Sequence, residues 1–429
     1  MPRKGKQTGA LVLLLLFPGL LGSDRDASSW TGLWRLELHS DNRGTQLFHL
    51  FFPGAASSEP SIYTDNWFKM IPRRVSSDPE SFRFVWEKSG VPLSVDVRLE
   101  TPNRLRGRWI FIHPQYQYKG KAVAHKLLSV THWTPFEGIN KLQTEDGLID
   151  LAGYLAEKAI TLGQREFIEF WDYEAEPDLF ILFDRLIYGN KTVDPAHKKQ
   201  LQEQIYQALT SGDVAANASR FSKMHREVHR DLGEALQGLD ITSAIITLPP
   251  LKGLNSDVEN LGGGLFSLVR LEDWVGVSPQ QAPYFVAQQI LRGPLYTRLP
   301  QLKNLALELY EKGLQTYLSS LLGYSDSPSD YLFLSENEIK QVERQSEKLK
   351  EEIRRSLIGF DPGLRTRLFF TPPRPGRWIA YQMVKQISKD LSPQELLDLD
   401  RKELLAKEVA YLSPPDPTPS PDPEKSATN

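Results

Sequence analysis

The 429-residue chain has no cysteine, so disulfides and thiolate metal sites are excluded and an apolar core must hold the fold. Histidine is scarce: eight are present, and none lies beyond His229. The C-terminal half therefore has almost no imidazole to offer a metal ion. Charge of one sign is missing too. Lys and Arg number 51 against 54 Asp and Glu, a net −3, and the basic residues are spread along the chain. That gives no electrostatic case for nucleic acid or for a polybasic membrane patch. No G-x-S-x-G or S-x-x-K is present, which leaves a serine hydrolase without a foothold. Gly262-Gly263-Gly264 is not followed by Lys-Ser/Thr, so it reads as a turn before a strand rather than a phosphate cradle.

One apolar run is present, at the start. Arg3, Lys4 and Lys6 precede Leu11–Leu21, with Gly22 and Ser23 behind them. Residues 1–23 read as an export signal, too short to span a bilayer comfortably, with a periplasmic or extracellular destination expected. No later stretch reaches transmembrane length, so no integral span is expected after cleavage.

Residues 30–132 alternate apolar and polar in short runs: Trp34, Leu36, Leu38; Phe48, Leu50, Phe52; Phe82, Phe84, Trp86; Val91 to Leu99; Trp109, Phe111. Period-two alternation broken by Gly, Pro, Asn and Ser predicts a half-buried antiparallel sheet, closed as a small barrel or folded as a sandwich. Trp30-x-Gly32-x-Trp34 and Leu105-x-Gly107-x-Trp109 resemble lipocalin strands, which implies an apolar ligand inside this domain.

A polar connector at 133–146 leads to a mainly helical domain over 147–410. Helix faces are expected through Leu148, Leu151, Leu155 and Ile160, and over 178–188, 195–209, 213–236, 278–292, 298–322, 336–357 and 376–391. Ser335-x-x-Glu338 predicts a capping box. A short β insert is expected at 241–248 and 264–271. Residues 413–429 hold six Pro among Ser, Thr, Asp and Lys and read as a disordered tail. The expected class is thus α+β.

His225 and His229 stand at i and i+4 with Glu227 between them. Glu227 falls on the other side of the helix, so neither H-E-x-x-H nor H-x-x-E-H is formed, and a solvated helix face is the expectation. His113, His125 and His132 read as surface histidines.

The segments Tyr284-Phe-Val-Ala-Gln-Gln-Ile-Leu-Arg292 and Leu309-Tyr-Glu-Lys-Gly-Leu-Gln-Thr-Tyr317 carry a different pattern. With Arg374-Pro-Gly-Arg-Trp-Ile-Ala-Tyr-Gln-Met-Val384 and the Leu-rich Pro393–Leu405, residues 241–410 resemble a family of predicted gluzincin-type zinc peptidases. The working form of that family has H-E-x-x-H, then an E-G-x-A-T-Y helix, then R-x-G-Y-x-x-G-Y. The resemblance implies a zincin-like domain in which Gln288 and Arg292 stand at the histidine positions, Gln289 at the general base and Lys312 at the third ligand. It implies no metal and no cofactor, and a cleft that holds a peptide or protein ligand through Glu308, Glu311, Tyr317, Arg374 and Tyr381. Glu308 or Glu311 is expected to pair with Arg292 or Lys312, and the strand at 264–271 to receive an extended peptide. The leading expectation is an exported non-catalytic pseudo-peptidase. An active metallopeptidase with an unrecognised site and a lipocalin-like carrier are the alternatives.

Overall fold

The computed structural model describes residues 29–413, apart from 41–43, 55–59, 65–68, 135–139, 171–181, 183–185, 187–194, 251–257, 262–263, 300–303 and a few single positions. The export-signal segment, the Pro-rich tail and most of the helix expected at 178–188 fall outside the described residues. The chain divides into two compact units: 1–65 with 69–133, and 66–68 with 134–429. No described helix is long and apolar enough to cross a membrane.

The first unit is one antiparallel sheet of nine strands: β1 (Gly32–Ser40), β2 (Gly44–Phe52), β3 (Ser61–Thr64), β4 (Lys69–Met70), β5 (Arg74–Ser77), β6 (Ser81–Lys88), β7 (Val91–Thr101), β8 (Arg104–His113) and β9 (Tyr116–Leu128). The order β4-β3-β2-β1-β9-β8-β7-β6-β5 brings the first and last strands together and leaves only the very short β4 and β5 at the ends, so the sheet nearly closes into a barrel. Inward positions carry Trp34, Leu36, Leu50, Phe82, Phe84, Val95, Val97 and Leu105 with essentially no accessible surface. These side chains pack against one another as one apolar cluster.

The sheet is not simply half-buried. Leu33, Phe51 and Tyr63 on the other face of β1–β3 are buried as well. Trp133 covers them edge-on, 5.7 Å from Phe51 and 5.5 Å from Tyr63. Gly107 is required where β8 lies against β7, since a Cβ there would come within 1.8 Å of the Asp96 carbonyl oxygen.

The second unit has a four-stranded mixed sheet and helices. Its strands are β10 (Leu148–Ile149), β11 (Ala244–Leu248), β12 (Val258–Leu261) and β13 (Gly264–Arg270), ordered β10-β11-β13-β12. Leu148, read from the sequence as helical, opens β10, and the helix α1 (Leu151–Glu169) starts behind Asp150, whose carboxylate caps Gly153 N. β13 pairs with β11 on one side and β12 on the other. It has no free edge for an added peptide.

The remaining helices are α2 (Pro195–Thr210), α3 (Val214–Ala235), α4 (Leu271–Val275), α5 (Ala282–Arg298), α6 (Leu305–Ser320), α7 (Pro328–Leu332), α8 (Glu336–Ser356), α9 (Pro362–Phe369), α10 (Pro375–Ile387), α11 (Pro393–Asp398) and α12 (Arg401–Leu412). α5 passes Pro294 and ends at Arg298, six residues beyond its expected stop. α8 starts with the expected capping box, in which Glu338 reaches back to Ser335 N at 2.7 Å.

Candidate binding site

α5, α6 and α10 form the site, and the contact between α6 and α10 is unusually close. A Cβ on Gly313 would lie 2.3 Å from the Ala380 carbonyl oxygen, so only glycine lets the two backbones meet there. Lys312 directly precedes Gly313, and Arg377 lies one turn before Ala380. α5 carries Gln288, Gln289 and Arg292.

The glutamines are buried, each 8 % exposed, and both are bonded. Gln288 Nε2 donates to the Tyr331 carbonyl at 2.9 Å and lies 3.5 Å from Ser319 Oγ. Gln315 of α6 donates to the Gln288 carbonyl oxygen. These bonds tie α5 to α6 and α7 and explain why polar side chains are tolerated there. Gln289 Oε1 accepts from Arg292 Nη1 at 3.0 Å. Arg292 therefore turns to Gln289 within its own helix; no bond joins it to Gln288.

Lys312 stands near Arg292 and Arg377. Its proton affinity is lowered by burial first and by the Arg292 charge next, with Arg377 acting the same way and Glu311 and Glu308 opposing. Burial, then the charges of Arg374 and Arg292, lower Arg377 to about 10, which leaves it charged at neutral pH. Arg377 also lies 5.4 Å from the centre of the Phe333 ring. Glu308, one of the two expected acidic partners, instead binds Arg365 Nε at 2.6 Å. Arg365 reaches Glu308 from α9, a helix whose proximity the sequence pattern could not reveal.

Tyr317 and Tyr381 belong to an aromatic cluster with Tyr284, Tyr331, Phe333 and Trp378. Tyr381 Oη donates to Tyr331 Oη at 3.2 Å. Arg374 occupies the N-cap of α10 at φ 53° and makes no side-chain cap. It sits within the field of Glu338, helping to hold that carboxyl below its usual range after the hydrogen bonds from Ser335. Sequence reading passed over Arg377, Gln315, Ser319 and Tyr331. Arg377 was reachable as the residue one turn after Arg374; the others come from helix contacts with no sequence period.

Elsewhere, His225 is not the solvated residue expected. It is 0 % exposed, and its Nδ1 lies 3.1 Å from Asp146 Oδ2. Burial lowers its proton affinity, and Asp146 only partly offsets this. Neutral His225 then serves as the Nδ1–H donor, which leaves Nε2 buried without a partner. An imidazole with no accessible surface cannot reach a substrate. His113 and His125 sit at opposite ends of the β8–β9 ladder. Among the described residues no group of three or more His, Cys, Asp or Glu is placed to hold a metal ion. A cavity of about 330 Å³ is lined by Arg220, Lys223, Met224, Glu227 and Trp274, and shares no lining residue with the α5–α6–α10 cluster.

No protein-family model, no curated protein and no solved structure matches this chain.

Proposed function

We propose that this protein is an exported, non-catalytic relative of zinc peptidases that uses the α5–α6–α10 cleft to bind a peptide or protein. The observation that carries the reading is the chemistry at the four positions where the resemblance puts the metal and the base. Two are amides already engaged with the protein, Arg292 is a guanidinium without a lone pair to give, and Lys312 is a single amine half-buried beside two arginines. A cleft of that composition binds and does not activate water. The aromatic cluster of Tyr317, Tyr331, Tyr381 and Trp378 beside it offers apolar surface with polar tips, the kind of lining that holds peptide side chains.

The test is elemental analysis of the purified full chain together with a proteolysis assay with and without chelator. The expected outcome is no stoichiometric zinc and no chelator-sensitive cleavage. About one tightly held zinc per chain, lost in Gln288→Ala or Gln289→Ala, would overturn the reading.

A further inference from the structure

We propose that Lys312 and Arg377, with Arg292 beside them, form a binding site for an oxyanion, a carboxylate or phosphate group carried by the ligand of the cleft. The inference deepens the function proposed above and rests on that reading only for the peptide nature of the ligand.

Three helices deliver the cations to one place. The close approach of α6 and α10 at Gly313 and Ala380 sets Lys312 and Arg377 beside the crossing, and α5 supplies Arg292. Arg292 and Arg377 both disfavour the charge of Lys312, and Arg292 disfavours that of Arg377. Among the described residues neither Lys312 nor Arg377 has a carboxylate within ion-pair distance. The acids in range are accounted for: Glu308 is taken by Arg365, Glu311 neighbours Lys312 in the chain and acts only through its field, and Glu338 faces Arg374. Positive charge on half-buried Lys312 and Arg377, with no carboxylate in ion-pair distance among the described residues, is unfavourable, and a bound anion would remove that penalty.

The geometry also suits an anion. The Arg377 guanidinium lies over Phe333, which uses its face and leaves its N–H edge for a planar oxyanion. α10 begins at this point with no side chain capping its N-terminus, so its positive end adds to the same field. The adjacent aromatic cluster would hold the rest of the ligand.

The experiment is titration calorimetry on the full chain in low-salt chloride buffer. The probes are inorganic phosphate and a pair of otherwise identical peptides, one ending in a free carboxylate and one in an amide. Saturable phosphate binding is expected, weakened about tenfold or more by Lys312→Met or Arg377→Met. It should be unchanged by Arg354→Met, an exposed residue on α8 paired with Glu351. In the same chloride buffer without phosphate or peptide, both methionine variants should melt no lower than the parent, because a like charge has been removed. Arg377→Lys, which keeps the charge, serves as a second variant should Arg377→Met fail to fold, and should weaken phosphate binding by less. A preference for the free-acid peptide identifies a carboxylate as the natural anion. Phosphate binding without peptide binding keeps the oxyanion site and removes the peptide reading. Equal binding of acid and amide peptides without phosphate binding does the reverse, and binding of no probe overturns the site. Phosphate binding that survives in both methionine variants also overturns it.

Discussion

The interior of the barrel is lined by Trp34, Leu36, Phe82, Phe84, Val95 and Val97, whereas the helical unit encloses ionisable side chains: His225 on α3, Lys312 on α6, Arg377 on α10 and Glu408 on α12. The barrel interior can respond to changes in shape alone. The helical core can respond to pH and to ions as well, because each buried ionisable group has a proton affinity that the fold has moved. The contrast between the two interiors can be tested directly; the ionisable groups that the first unit buries, Arg35, Glu37 and His49, lie on the outer face of β1 and β2.

Glu408 gives the largest expected effect. It is 0 % exposed, neither carboxylate oxygen has a hydrogen-bond partner, and burial raises its pKa from 4.5 to about 8. The unfolded carboxyl ionises near 4.5, so the folded state is at no disadvantage below that pH and loses stability progressively as pH rises towards 8. The full penalty above pH 8 is about 5 kcal/mol. Glu408→Gln is expected to unfold like the parent near pH 4 and to gain several kcal/mol near pH 9, measured by urea denaturation. A gap of the same size at both ends would show that Glu408 does not titrate as described.

Phe84→Ala in the barrel should cost about 3–5 kcal/mol, the usual loss for a fully buried aromatic side chain. This cost should stay level across the same pH range. If it varied with pH, the apolar barrel interior would share the ionisable character of the helical core.

Gly313→Ala is the smallest of the three, at about 1–3 kcal/mol, because the added methyl would meet the Ala380 carbonyl and push α6 away from α10. The variant sharpens the comparison through its second readout. Phosphate affinity should fall with it, since Lys312 and Arg377 are placed by that crossing, while a small-to-large change in the barrel should leave phosphate affinity alone.

The barrel was legible where large side chains alternate, as in β1, β2, β6 and β7. It was not legible in β9, where the inward residues are Ala122 and Ala124. Small side chains suit a strand beside bulky neighbours such as Trp109, but they leave little hydrophobic signal. β10 was hidden because Leu148 lies at helical spacing from Leu151 and Leu155. α8 was legible from Ser335 and Glu338, since a cap is a local arrangement. The site was legible only as a set of residue types on three segments. That Glu308 turns to Arg365, that His225 is enclosed with Asp146 and that β13 lies between two strands are tertiary facts, and periodicity carries no record of them.

The parallel pairing of β10 with β11 sets an order of assembly. Leu148 leaves the ribosome roughly a hundred residues before its partner Ile245, and α1, α2 and α3 are all made in between. In the barrel, β6, β7 and β8 meet neighbours that are made immediately before or after them, and β9 joins β8 before it also closes back on β1. Most of the first unit can therefore close while the second is still being synthesised, and the three early helices must wait with an apolar face uncovered. Ile245, Ile246 and Leu248 supply part of that cover when they emerge.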